Sequence, residues 1–143
     1  MPQKFHFISG LPRSGSTLLA AILKQNPRFH AGMTSPVGSL FRGMLNQLGA
    51  GSEFGSVVST EQRRRLLRGI FDSYYAEQSE KEVIFDTNRM WCAHLPALMD
   101  QFPETKVIAC VRNVAWVIDS IERRYRANSF DITRSFTGDT LRN

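Results

Sequence analysis

Cysteine is scarce in this 143-residue chain: Cys92 and Cys110 are the two present, and they form neither a CxxC pair nor a zinc-finger spacing. A disulfide framework and a structural zinc site are therefore unsupported, and a reducing, cytoplasmic location fits the composition. Histidine is equally sparse, and His6, His30 and His94 are scattered without metal-ligand spacing, so no metal centre is expected. Long apolar runs are missing too. Lys4 and the break at Gly10-Leu11-Pro12 interrupt the N-terminus too early for a signal peptide's apolar stretch, and no later run reaches membrane-spanning length. The chain reads as soluble and unsecreted, with no membrane partner. Internal repeats and low-complexity segments are also absent, and 143 residues with 42% hydrophobic content suit one core and one domain.

What is present begins with a positive balance, a formal net charge of +5, which favours acidic partners. Its distribution narrows the choice. Arg63, Arg64, Arg65 and Arg68 fall on one expected helix and Arg123, Arg124 and Arg126 on another, neither with the interleaved aromatics of a base-stacking surface. Both groups read as solvated helix faces, and no nucleic-acid partner is expected.

The pattern along the chain alternates strands with helices. Lys4 to Ser9 (KFHFIS) alternates before the Gly-Pro break and predicts a strand; Ser16 to Gln25 has helical apolar spacing closed by Asn26-Pro27. Pro36 to Leu48 predicts a second helix despite Gly38 and Gly43, and Ala50 to Ser59 a Gly/Ser-rich loop. Ser59-Thr60-Glu61-Gln62 has the form of a capping box opening a helix to about Gln78. Val83 to Asp86 (VIFD) and Lys106 to Val111 (KVIACV) predict buried strands, with helices over Met90 to Phe102 and Val114 to Arg126. Trp91 and Trp116 are expected in the core. The fold class is α/β, a parallel sheet flanked by helices on both faces, whose ligands bind at the carboxyl ends of the strands.

One loop at such an end carries chemistry. Gly10-Leu11-Pro12-Arg13-Ser14-Gly15-Ser16-Thr17 joins the first strand to the first helix, so backbone N–H groups and the helix N-terminus can converge on one anion. Its glycine spacing and final hydroxyl satisfy the pattern G-x-x-x-x-G-K-[ST], but Ser16 stands where the lysine belongs and Arg13 supplies the cation. A γ-phosphate thereby loses its usual point charge, whereas an arginine among hydroxyls suits a shorter phosphosulfate.

GLPRSGST after a hydrophobic strand resembles the 5′-phosphosulfate loop of the PAPS-dependent sulfotransferase superfamily, where PAPS is 3′-phosphoadenosine 5′-phosphosulfate. A second stretch agrees: VIACVRNVAWVIDS resembles that family's 3′-phosphate motif, an arginine ending a strand and a serine eight residues later on the next helix, here Arg112 and Ser120. Val114 departs from the proline usual there. The resemblance implies a P-loop-like three-layer fold, PAPS as sulfuryl donor, and an acceptor hydroxyl or amine on a small molecule, carbohydrate or peptide. It further implies that Arg13, Ser14, Gly15, Ser16 and Thr17 hold the 5′-phosphosulfate, while Arg112 and Ser120 hold the 3′-phosphate. Family domains are longer than this chain, so a truncation at the C-terminus is expected.

Catalysis in that scheme needs positioning, stabilisation of leaving-group charge and a base. Arg13 would stabilise the leaving charge. The two places from which such enzymes draw a base hold Thr34 and Asn88, neither of which accepts a proton at neutral pH. Asp86, at the end of VIFD and beside Arg89, is the favoured base, with a structural or substrate-orienting role open to it and with His30, Glu53 or a residue on a segment absent from this chain as alternatives. Two other functions stay open: a nucleotide kinase, in which Asp86 would hold Mg²⁺, and a noncatalytic nucleotide-binding module.

Overall fold

The computed structural model describes residues 3–128. Four strands, β1 (Lys4–Gly10), β2 (Phe29–Ala31), β3 (Val83–Thr87) and β4 (Val107–Cys110), form one parallel sheet in the order β2-β3-β1-β4. The connecting helices are α1 (Ser16–Leu23), α2 (Val37–Leu48), α3 (Thr60–Tyr74) and α4 (Leu95–Gln101). Right-handed crossovers put a helix on one face when the chain moves one way along the sheet and on the other face when it moves back. The step from β1 to β2 runs against the steps from β2 to β3 and β3 to β4. Accordingly, within the described residues up to Val111, α1 packs on one face, and α2, α3 and α4 pack on the opposite one. This is the three-layer α/β architecture expected from the alternating pattern.

Alternation along the strands sorts the core. Phe5 and Phe7 of β1 and Ile84 of β3 point to the larger layer, where they meet Val37, Phe41, Leu67, Phe71, Trp91 and Leu98. Ile8 and Phe85 point the other way, toward Ala20 of α1 and Ala31 of β2. Phe71 centres the larger cluster, its ring within 5.9 Å, centroid to centroid, of those of Phe5, Phe7, Phe41, Trp91 and Phe102. Emptying such a position typically costs about 3–5 kcal/mol. At the head of α3, Gln62 N donates to Ser59 Oγ at 3.1 Å and Ser59 N to Gln62 Oε1 at 2.9 Å, the reciprocal box that the sequence announces.

Several expectations are corrected. The helix expected over Met90 to Phe102 is a 3-10 turn (Trp91–His94) followed by α4, because Pro96 lies in the first turn of α4, where a missing N–H and a fixed φ start a helix. Strand β2, three residues long, lies just past the Asn26-Pro27 break, in a stretch to which the residue pattern assigned no element. α3 stops at Tyr74, and a separate 3-10 turn follows at Ala76–Gln78. KVIACV yields a four-residue strand, β4, at the sheet's edge rather than a buried one: among the described residues it pairs with β1 alone, and Ile108 is 36% exposed.

The chain divides into two compact units, with the boundary after Val111. The second contains α5 (Val114–Ala127), whose N-terminus is capped by Asn113, the Oδ1 of which accepts from Ala115 N at 2.9 Å. Its exposed side carries the pairs Asp119–Arg123 and Glu122–Arg126, four residues apart. Among the described residues no helix is long and apolar enough to cross a membrane.

Candidate active site

The loop leaving β1 is built on special backbone. Ser14 N donates to Leu11 O at 3.1 Å, closing a tight turn, and the next two left-handed positions are Arg13, φ 66°, and Gly15, φ 102°. Arg13 is the sole non-glycine residue with positive φ among those described, a conformation that costs an L-residue roughly 1–2 kcal/mol. Two left-handed residues one position apart can turn successive N–H groups to one side, a geometry suited to an anion. Gly15 precedes α1 without any side-chain cap, and the first intrahelical donor is Leu19 N, to Gly15 O at 3.0 Å. The amides of Ser16, Thr17 and Leu18 therefore have no acceptor within the helix and carry its positive end.

Gly10 is required by space. A Cβ there would lie 2.6 Å from both Cys110 O and Ser14 Oγ, so the missing side chain is what admits the Ser14 hydroxyl against the strand ends. That hydroxyl is enclosed and has no hydrogen-bond partner among the described residues. A hydroxyl without a partner beside uncapped amides is compatible with an anionic group, and Arg13, Ser14, Gly15, Ser16 and Thr17 lie together on this one loop and helix start. Arg13 and Thr17 are exposed; Ser14 and Ser16 are half-buried.

Asp86, one strand away, is in the opposite condition. It is 0% exposed; Ser35 Oγ and Tyr75 Oη donate to Oδ2, each at 2.6 Å, and Trp91 Nε1 donates to Oδ1 at 2.8 Å. Burial pushes its carboxyl up, against the three hydrogen bonds, which pull it down. Burial, and next the adjoining Asp86 charge, pushes the Tyr75 phenol up as well. Asp86 thus ties α3, the segment before α2 and the turn after β3 to one strand end.

Asn88 is likewise a structural tie: Nδ2 donates to Ser35 O at 3.1 Å, Oδ1 accepts from Met90 N at 3.1 Å, and its backbone N donates to Ile8 O at 3.0 Å. A Cβ at Gly38 would overlap its amide, so the glycine that weakens α2 as a helix is the one that admits Asn88. Of the alternative bases, His30 is half-buried, its Nδ1 3.2 Å from Gln78 Oε1, and Glu53 is exposed in a 3-10 turn (Glu53–Ser56) of the 50–59 loop. Arg89 is exposed beside this cluster, and Thr34 is exposed before it.

Residue pattern alone missed Ser35, Tyr75 and Trp91 as partners of Asp86. Tyr75 and Trp91 carried a faint signal, since a polar tip on an apolar body suits a buried hydrogen bond.

In the second unit, Arg112 is exposed and precedes the capping Asn113; its guanidinium carbon lies 5.9 Å from the centroid of the Trp116 ring. Ser120 is half-buried on α5, eight residues on. Trp116 is 65% exposed, which corrects its expected place in the core, whereas Trp91 is fully buried as expected.

A family model described as the sulfotransferase family matches residues 6–142. The chain belongs to the sulfotransferase family. No curated protein matches it. Membership makes this chain a sulfuryl transferase of the α/β three-layer type, with the glycine loop between β1 and α1 at the carboxyl edge of its sheet.

Proposed function

We propose that this sulfotransferase uses PAPS as its donor and passes the sulfuryl group to an acceptor hydroxyl or amine, releasing adenosine 3′,5′-bisphosphate. The observation that carries this reading is the head of α1 without a side-chain cap, following a loop that holds the Ser14 hydroxyl, without a partner among the described residues, and the left-handed Arg13. In this scheme the Gly15, Ser16 and Thr17 backbone and the Ser14 hydroxyl hold the 5′-phosphosulfate. Arg13 stabilises charge growing on the bridging oxygen. Arg112 and Ser120 take the 3′-phosphate, the group that distinguishes PAPS from ordinary adenylates. The family match runs across the boundary after Val111, which favours one nucleotide-binding domain over the whole chain.

As the acceptor oxygen or nitrogen bonds to sulfur, the bond from sulfur to the bridging oxygen breaks. Its electron pair leaves on the 5′-phosphate, and the acceptor's proton is released to solvent. The enclosure of Asp86 and its three donors favour a positioning role for this residue over that of the base, since a base must reach the acceptor's proton. The acceptor is a small molecule, or a carbohydrate or peptide group, and the 50–59 loop is the segment best suited to shape its choice.

Titration calorimetry with adenosine 3′,5′-bisphosphate and AMP tests the donor. A clear preference for the bisphosphate is expected, without any requirement for Mg²⁺. Equal affinities would overturn the 3′-phosphate assignment, and a Mg²⁺ requirement would favour the kinase reading.

A further inference from the structure

A second orphaned hydroxyl lies at the same sheet edge. Thr87 ends β3, is 5% exposed, and its Oγ1 is enclosed without a hydrogen-bond partner among the described residues. Its main chain is committed: the carbonyl accepts from Ser35 N at 3.1 Å, and the residue lies in register with Ile8 of β1. Only the hydroxyl is left over, at a site where an unmet polar group typically costs about 1–3 kcal/mol.

The topology fixes where that hydroxyl faces. Side chains alternate along β3, so Thr87 shares the face of Phe85, which packs in one cluster with Ala20 of α1. From Phe85 to Thr87 is one step of two residues, about 6.6 Å toward the carboxyl edge. From Ala20 back to Ser16 is four residues of α1, about 6 Å in the same direction, since a crossover helix runs antiparallel to its strands. Thr87 thus faces the first turn of α1, where the Ser16, Thr17 and Leu18 amides are open.

We propose that Thr87 is a donor-binding residue whose hydroxyl donates to a non-bridging oxygen of the terminal sulfuryl group of PAPS; this rests on the donor reading above. The hydroxyl keeps its proton throughout and takes no part in bond making or breaking. The ligand supplies the partner that the fold withholds.

Thr87→Val and Thr87→Ser separate this role from packing, since valine keeps the shape and serine keeps the hydroxyl. Calorimetry on the full chain should show Thr87→Val binding PAPS at least about tenfold more weakly, on the scale of a hydrogen bond to a charged group. Its affinity for adenosine 3′,5′-bisphosphate, which lacks the sulfuryl group, should change by less than about threefold. Thr87→Ser should recover PAPS binding. The ligand-free melting temperature of Thr87→Val should be unchanged or raised, because an unmet buried hydroxyl has been removed. Equal losses for both ligands, or no loss for either, overturn the Thr87 contact while leaving the donor assignment standing. Wild-type protein that binds neither ligand overturns both.

Discussion

The ends of β1 and β3 lie side by side at one sheet edge, in register through Ile8 and Thr87, and they have been built to opposite specifications. Past β1 the backbone is strained at Arg13, the helix head is uncapped and an enclosed hydroxyl has no partner. Before the end of β3, Asp86 has both carboxylate oxygens engaged and no exposure. In the donor-binding reading proposed above, the polar groups left unsatisfied at this edge are the place for the ligand, and the saturated carboxylate belongs to the frame around it.

The largest effect should come from breaking the frame. Asp86→Ala removes the acceptor of Ser35, Tyr75 and Trp91 together and opens a cavity, so a loss of about 4 kcal/mol of stability is expected, read by urea denaturation. Affinity of the remaining folded protein for the bisphosphate should hardly move. A normally stable Asp86→Ala that had lost turnover would restore the base assignment.

Gly10→Ala should strike both ends, since the added methyl meets Cys110 O and Ser14 Oγ. Overpacking of this kind costs about 1–3 kcal/mol, visible as a lower melting temperature accompanied by weaker nucleotide binding. Stability lost without affinity would mean that the Ser14 hydroxyl is not a ligand contact.

Arg13→Ala should leave melting nearly unchanged and weaken PAPS binding by about 1–3 kcal/mol, the range for charge-assisted contacts. Arg13→Gly should weaken binding similarly yet raise stability by about 1 kcal/mol, because glycine relieves the left-handed strain. If Arg13→Gly melted lower than Arg13→Ala, the strain would not be real.

The smallest effect concerns pH. Burial raises the carboxyl of Asp86, so between the ordinary carboxylate value and its raised value the folded state holds a proton that the unfolded state has released. In that window the Asp86 contribution makes stability fall as pH rises; it is fully present below the unfolded value and gone above the folded one. Asp86→Asn should remove this slope, seen by comparing urea midpoints across mildly acidic pH. An unaltered slope would show that other groups set it.

Much of this was legible in the sequence, for physical reasons. The glycine loop, the capping box at Ser59 and the alternation of β1 are local patterns, and local geometry follows local spacing. The environment of Asp86 depends on Ser35, Tyr75 and Trp91, which the chain brings in from three separate segments, and no spacing encodes that meeting. VIFD showed a strand-end acid but not its enclosure. The exposure of Trp116 and of Ile108 was hidden likewise, since apolar character says what prefers burial, not what is there to cover it. Thr87 lay one residue past the expected strand VIFD and carried no signal, since an enclosed hydroxyl without a partner among the described residues shows only in three dimensions.

If the loop of residues 10–17 holds an anion as proposed, its main-chain amides make that hold rest on shape more than on which small polar side chain stands between the glycines. Such a site tolerates exchange among small polar residues at positions 14, 16 and 17, but has little freedom at Gly10 and Gly15, where space and a left-handed turn decide. Drift in this protein's lineage would therefore erode the apparent chemistry of the motif long before its geometry. Kinship at such a site is better judged from two glycines and a left-handed residue than from the hydroxyls between them.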